Sequence, residues 1–364
     1  MQVVLAMHMA NELLSLPVAA ATLAVAGLIV AMAARRSART LGAERMPLMG
    51  VMGAFVFAAQ MINFTLPLMP GTSGHLGGGV LLAILLGPAA AIVTMTAILI
   101  VQCLLFQDGG LLALGCNIIN MAVFPCLLGW AVYRLSLGRS GTATPFRQYI
   151  SAWAACVIGV TAGAAMVPLE AGVSGVLRIP VGQFLAVMTG VHLLIGLVEG
   201  AVTFAVLAYL GRVWPSLLGQ GSGAAAEKLG RRPVLVSIVA TALLLGGVVS
   251  WFASTHPDGL EWSYGEHSYG QTGDTVAPPS AAISAVDEWQ ARWSLMSDYT
   301  KRPAPLGLAP TKTKGESDAT DAWPNVSGWA SLAGLVGTAA TLAVLYAVAV
   351  VWRRRAGGSA SAAG

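Results

Sequence analysis

Residues 77–106, GGGVLLAILLGPAAAIVTMTAILIVQCLLF, carry no charged side chain and decide how the chain must be laid out. A helix crosses a hydrocarbon core of about 30 Å with roughly 20 apolar residues, so this run is too long for one crossing, and Gly87-Pro88 interrupts it. A proline in a helix interior removes a backbone hydrogen bond and clashes with the preceding turn, and loose backbone finds no partner in lipid. The spacing predicts two helices, 76–87 and 89–107, joined by a tight turn on the cytoplasmic side, the first of them short for a span.

Outward from this pair the pattern repeats, with spans expected at 16–34, 46–66, 111–133, 149–169, 181–211, 233–253 and 328–352. Of the 364 residues 56% are hydrophobic and only 10% charged, far outside the usage of a soluble domain. The fold class is therefore an all-α polytopic membrane protein. Arg35, Arg36, Arg39 and Arg45 follow the first span; Arg134, Arg139 and Arg147 the fifth; Arg212, Lys228, Arg231 and Arg232 the seventh; Arg353, Arg354 and Arg355 the last. The opposite turns carry almost only Arg178. By the positive-inside rule the N-terminus lies outside and the C-terminus in the cytoplasm. Residues 7–15, the loop Pro70 to His75 and the turn Gln107-Asp108-Gly109-Gly110 then share the external face, as does a polar stretch at 254–327 that reads as a small external module.

Several classes drop out. The net charge of +4 is spread through loops with no aromatic interleaving, which excludes nucleic acid as partner. Cys103, Cys116, Cys126 and Cys156 lie inside apolar runs without CxxC spacing, a packing role rather than a zinc site or disulfide framework. Met1 to Pro17 lacks a basic leader and carries Asn11 and Glu12, unlike a secretory signal.

The histidines carry the chemistry. His75 sits in PGTSGHLGGG, where glycines let the backbone turn sharply and come close to a neighbour. His8 follows Met7. If Met7 were the first residue, its free amine, the deprotonated amide of His8 and the His8 imidazole would close a five- and a six-membered chelate ring on a divalent metal, with His75 as a fourth nitrogen. Four nitrogens suit Ni2+ or Cu2+ and admit Co2+, and disfavour Mg2+ and Ca2+. His192 and Glu199 are seven apart on one helical face, and an intramembrane carboxylate points inward to a partner. Asn63, Gln102, Asn117 and Asn120 are candidates to hold an imidazole's second nitrogen, or to make interhelical hydrogen bonds.

MHMANELLS at 7–15, PLMGVMGAFVFAAQMINF, GTSGHLGGGVLLAILLGP, LLALGCNIINMAVFP and HLLIGLVEG at 192–200 resemble the membrane substrate-capture component of cobalt and nickel energy-coupling-factor transporters, the CbiM/NikM family. The resemblance runs from Met7 to about Leu210. It implies a compact bundle of about seven transmembrane helices and a metal site made of the Met7 amine, the amide and imidazole of His8, and His75. HPDGLEW at 256–262 and SGWASLAGLVG at 327–337 resemble the small PDGLE-type accessory component of these transporters, here fused to the C-terminus as a two-helix module with an external loop. It implies a supporting role in metal loading, with His256, Asp258, Glu261 and His267 in the accessory loop.

The expected organisation is a prefix 1–6, over-assigned or removed so that the functional chain starts at Met7; a metal-binding bundle at 7–212; a cytoplasmic linker at 213–232; the module at 233–356, with its loop at 254–327; and a disordered tail at 357–364. No GxxxxGK[ST] phosphate loop occurs, so ATP hydrolysis is not expected of this chain. The resemblance implies a transmembrane coupling subunit and a pair of cytoplasmic ATPases as partners, cobalt or nickel as cargo, no organic cofactor, and a supply line to cobalamin synthesis or a nickel enzyme. Two other readings compete. Gly71-Thr72-Ser73-Gly74 fits the GxSG pattern of rhomboid-type intramembrane serine proteases, with Ser73 as nucleophile and His192 as base. A passive metal channel is the other, disfavoured because a multidentate nitrogen site holds its ion too tightly for rapid conduction.

Overall fold

The computed structural model describes residues 8–42, 45–138, 144–218, 231–265, 274–299 and 324–361. Their helices are α1 (Leu16–Thr40), α2 (Met46–Gln60), α3 (Gly79–Leu86), α4 (Pro88–Phe106), α5 (Leu114–Leu137), α6 (Pro145–Ser174), α7 (Val181–Val213), α8 (Arg231–Gly247), α9 (Gly259–Tyr264), α10 (Ala281–Trp293) and α11 (Gly328–Ser361). Six of these, α1, α4, α5, α6, α7 and α11, are long and apolar enough to cross a membrane, which makes the chain a multi-pass membrane protein. At 1.5 Å per residue, the 15 residues of α2 and the 8 of α3 fall short of a full crossing.

Gly87 closes α3 and opens α4 with φ 85° and ψ 153°, and Pro88 is the first residue of α4. Only glycine enters that backbone region readily, and proline at a first helical position loses no hydrogen bond it would otherwise make. The central run is thus two helices meeting at one residue. Burial then separates the helices. In α4 78% of the spanning window is buried and in α1 only 17%, so α4 is the core of the bundle and α1 lies on its rim with most of its surface facing outward.

Several expected helix limits move. The helix expected over 46–66 stops at Gln60, because Pro67 and Pro70 fold the next residues into a short hairpin, β1 (Phe64–Thr65) against β2 (Ser73–Gly74), antiparallel with Phe64 opposite Gly74. The helix expected from 111 begins at Leu114, since Gln107 at φ 57° and Gly109 at φ 85° hold 107–113 in a turn. Regular helix ends at Gly247 rather than 253, and a 3-10 turn takes over at Val249–Phe252. α11 continues to Ser361, past residue 357 where a disordered tail was expected. π-type turns at Gln102–Phe106, Ile118–Val123 and Pro125–Gly129 widen α4 and α5. Pro125 cannot donate to the usual α-helical acceptor, and such turns recur at functional sites.

The C-terminal helices pack directly on the bundle. A side chain at Gly337 would collide with the ring of Phe57 on α2, and one at Gly53 with Leu345 on α11. Between α8 and α11 the approach is backbone to backbone: a Cβ on Gly334 would run into the Gly246 carbonyl oxygen, the close contact that small residues permit between helices in lipid. Gly334→Leu should therefore force the pair apart and lower stability by about 1–3 kcal/mol, read as a drop in the thermal midpoint in detergent; an unchanged midpoint would mean the α8–α11 contact carries no stability.

Candidate metal site

At one end of the bundle four stretches of chain meet: the residues before α1, the hairpin leading into α3, the turn between α4 and α5, and the segments around α9 and α10. His8 is 2% exposed, and its Nδ1 lies 2.6 Å from Oδ1 of Asp108, itself 3% exposed. A carboxylate accepts, so Nδ1 carries the proton and Nε2 the lone pair. Nε2 is buried and meets no hydrogen-bond partner among the described residues. The ring of His75 stands 5.5 Å from that of His8, centroid to centroid, tilted by 56°. Asn117 grips the backbone next to His8 with both ends of its amide: Oδ1 accepts from Met9 N at 3.0 Å and Nδ2 donates to Met9 O at 3.1 Å. Gly109 is required there, because a Cβ would lie 2.9 Å from both His8 Cβ and Asn117 Nδ2.

The His75 loop is held from three sides. Glu199 on α7 accepts from Gly77 N at 2.6 Å and Gly78 N at 3.0 Å. Gln60 Nε2 donates to Gly77 O at 2.7 Å, and Gln60 Oε1 accepts from Gln102 Nε2 at 2.9 Å. From outside the bundle, Ser73 Oγ donates to His256 O at 2.8 Å and Ser73 N to Pro257 O at 2.9 Å. Gln102 therefore reaches the loop through Gln60 rather than touching an imidazole, and among the described residues the Ser73 hydroxyl bonds only to backbone carbonyls. None of the described imidazoles activates Ser73 in this arrangement, which leaves the protease reading without a base.

His8, His75, Asn117, Asn120, His192, Glu199 and Asp258 line a common cavity of about 80 Å³, room for an ion with little water. His192 donates from Nδ1 to Met188 O at 2.8 Å, leaving Nε2 as its basic nitrogen. Asn120 donates to Glu170 at 2.7 Å. Asn63 stands apart from the cavity; its backbone carbonyl accepts from Ser254 N at 2.7 Å. In the accessory loop His256 is exposed, while Asp258 and Glu261 form a reciprocal cap on α9, Asp258 accepting from Leu260 N and Glu261 N. Met7, His267, the prefix 1–6 and most of the linker lie outside the described residues.

Burial by itself raises Asp108, but the hydrogen bonds it accepts from His8 and Tyr299 oppose this, and the carboxyl is held below its usual range. Asp258 goes the other way: burial first, then Glu261 beside it, push it well above the ordinary aspartate value. Among the described residues no three His, Cys, Asp or Glu side chains stand together as a closed metal cage. Two imidazoles and a buried lone pair instead leave room for further donors.

Sequence reasoning did not single out Asp108, Gln60, Glu170, Gln290 or Tyr299. Asp108 had a usable signal, since it was already expected at the external face with His8 and His75. The others are bound to partners far away in the chain and have no local signature.

The family described as "Cobalt uptake substrate-specific transmembrane region" matches residues 8–217, and the PDGLE domain matches residues 232–354. A fused nickel transport protein of Rhodobacter capsulatus is 30% identical over 325 residues, 83% of this chain and 91% of that protein. A cobalt transport protein of Geobacter sulfurreducens is 32% identical over 253 residues, 65% of this chain and 69% of that one. A solved transition metal transporter superposes with a TM-score of 0.50 at 31% identity, covering 57% of this chain and 93% of that structure.

Glu199→Ala removes the acceptor of two amides, the buried one of Gly78 and the half-buried one of Gly77, and a buried amide left unpaired costs about 1–3 kcal/mol. Faster hydrogen exchange at Gly77 and Gly78 and a metal affinity lower by about tenfold or more are the expected outcome; protected amides with unchanged affinity would remove Glu199 from the support of the loop.

Proposed function

The chain belongs to the family of cobalt-uptake substrate-specific transmembrane regions and carries a PDGLE domain behind that region, and from this we propose that it captures Co2+ or Ni2+ at the external face of the membrane and passes it inward. The chain is a membrane component of cobalt or nickel transport. The finer reading is that residues 7–212 form a seven-segment capture bundle and 233–356 a fused accessory module, with the N-terminus outside and the C-terminus in the cytoplasm of the plasma membrane. Its support is the placing of arginines at the ends of α1, α5, α7 and α11 away from His8 and His75. Transport against a gradient then draws on a coupling subunit and a pair of ATPases of the energy-coupling-factor type.

The observation that carries the proposal is the buried Nε2 of His8, which meets no hydrogen-bond partner among the described residues, in a cavity that His75 also lines. A buried basic nitrogen without a donor costs free energy unless a ligand satisfies it. With Asp108 on Nδ1, an ion arriving at Nε2 meets a carboxylate–imidazole pair of the kind that orients metal-bound histidines. The chelate drawn through the Met7 amine, the His8 amide and Nδ1 requires the ring to turn over and Asp108 to release it. Both modes use His8 and His75 as ligands, and both draw nitrogen-preferring divalent ions. The choice between cobalt and nickel rests on geometry and supply.

His8→Ala and His75→Ala, titrated with Ni2+ and Co2+ in detergent, should each lose at least about a hundredfold in affinity, while Ser73→Ala, which keeps the bond from its backbone N to Pro257 O, should largely retain metal transport. If chelation uses the His8 amide, affinity should also rise steeply with pH, since binding expels a proton, and N-terminal mass spectrometry should find Met7 first with a free amine. Full affinity in both histidine variants would overturn the site.

A further inference from the structure

We propose that Tyr299, carried by the C-terminal module, is a positioning residue of the metal site: its hydroxyl holds the outer oxygen of Asp108 so that the inner oxygen stays on His8. This rests on the reading of His8 as a ligand through Nε2, with Asp108 kept on Nδ1. Tyr299 Oη donates to Asp108 Oδ2 at 2.6 Å while Asp108 Oδ1 takes His8 Nδ1 at 2.6 Å. A carboxylate bonded through one oxygen can pivot about its Cβ–Cγ bond; bonded through both, its plane is set, and the imidazole it holds inherits that plane.

The hydroxyl is itself fixed. The Tyr299 ring stacks on Phe106 with centroids 4.8 Å apart and planes 16° from parallel, and Phe106 is fully buried. Tyr299 and Gln107 sit on opposite sides of one seam, and both have left-handed backbone, φ 58° and φ 57°. Residues with a side chain adopt that conformation only where their surroundings impose it. The surroundings here are dense with bonds from the module to the turn. Ser297 Oγ donates to Gln107 Oε1 at 2.9 Å, Leu295 N and Met296 N both donate to Leu105 O, and Gln290 donates to Cys103 O and Gly109 O while accepting from Leu111 N. The turn that presents Asp108 is thus shaped by the module from its outer side, and Tyr299 is the point at which the module touches the carboxylate.

Affinity for Ni2+, measured on the full chain in detergent by competition with a chromophoric chelator, tests this. Tyr299→Phe keeps the stacked ring and should weaken binding about tenfold with an unchanged thermal midpoint and a shifted visible ligand-field band. In an Asp108→Ala background the same change should have no further effect. Phe106→Leu, which loosens the ring but keeps the hydroxyl, should give a smaller loss that also vanishes in that background. Unchanged affinity for Tyr299→Phe, or a loss that adds in full to that of Asp108→Ala, overturns the proposal, since the hydroxyl would then act elsewhere or not at all. His8→Ala and His75→Ala separate the two levels: if they still bind Ni2+, the metal-site reading itself fails; if they abolish binding while Tyr299→Phe binds as the parent does, only the role of Tyr299 fails.

Discussion

A carboxylate removed from water has to be met by donors, and the end of the bundle that holds His8 and His75 depends on two that are. Glu199 projects from the middle of α7 toward the hairpin and takes the amides of Gly77 and Gly78. Asp108 sits in the turn after α4 and takes His8 and Tyr299. Each carboxylate ties together stretches that are separate in sequence, 121 or more residues apart for Glu199 and 100 or more for Asp108. Removing water makes these bonds strong and makes their loss costly, so the same low polarity that drives the chain into a membrane fixes the polar end of it.

Close approach makes this possible. The hairpin loop reaches Glu199 because Gly77 has no side chain, and the turn reaches His8 because Gly109 has none. One π-type turn lies directly before the turn that carries Asp108, and another follows it after the single helical stretch Leu114–Asn117. Asn117, just ahead of the second of them, holds the chain next to His8 by its backbone. The residues that line the cavity are therefore held by main chain as much as by side chains.

The module behaves as part of the same structure. Its HPDG segment adds to the edge of the hairpin at Ser73, and its 295–299 segment closes over the turn at Leu105 and Asp108. Its helix α11 packs on α2, the helix that leads into the hairpin. Covalent fusion keeps the module at high effective concentration beside the site, so a set of individually modest hydrogen bonds is enough to hold it in place.

The layout of helices was legible in the sequence because its causes are local. Apolar runs, the Gly87-Pro88 break and the positions of arginines each act within one segment, and together they bring His8, His75 and the 107–110 turn to one end. The end of α2 at Gln60 was less legible, since Pro67 and Pro70 stop a helix without encoding the hairpin that replaces it. The pairings inside the site were not legible: the 107–110 turn put Asp108 at the right end of the bundle but named no partner for it. Asp108 with His8, Gln60 with Gln102 and Gly77, Asn120 with Glu170 and Tyr299 with Asp108 are hydrogen bonds spanning 17 to 191 positions. Sequence by itself determined which residues are costly to bury in this chain; only the tertiary structure decided which of them satisfy one another, because a hydrogen bond depends on distance and direction in space, and spacing along the chain encodes neither.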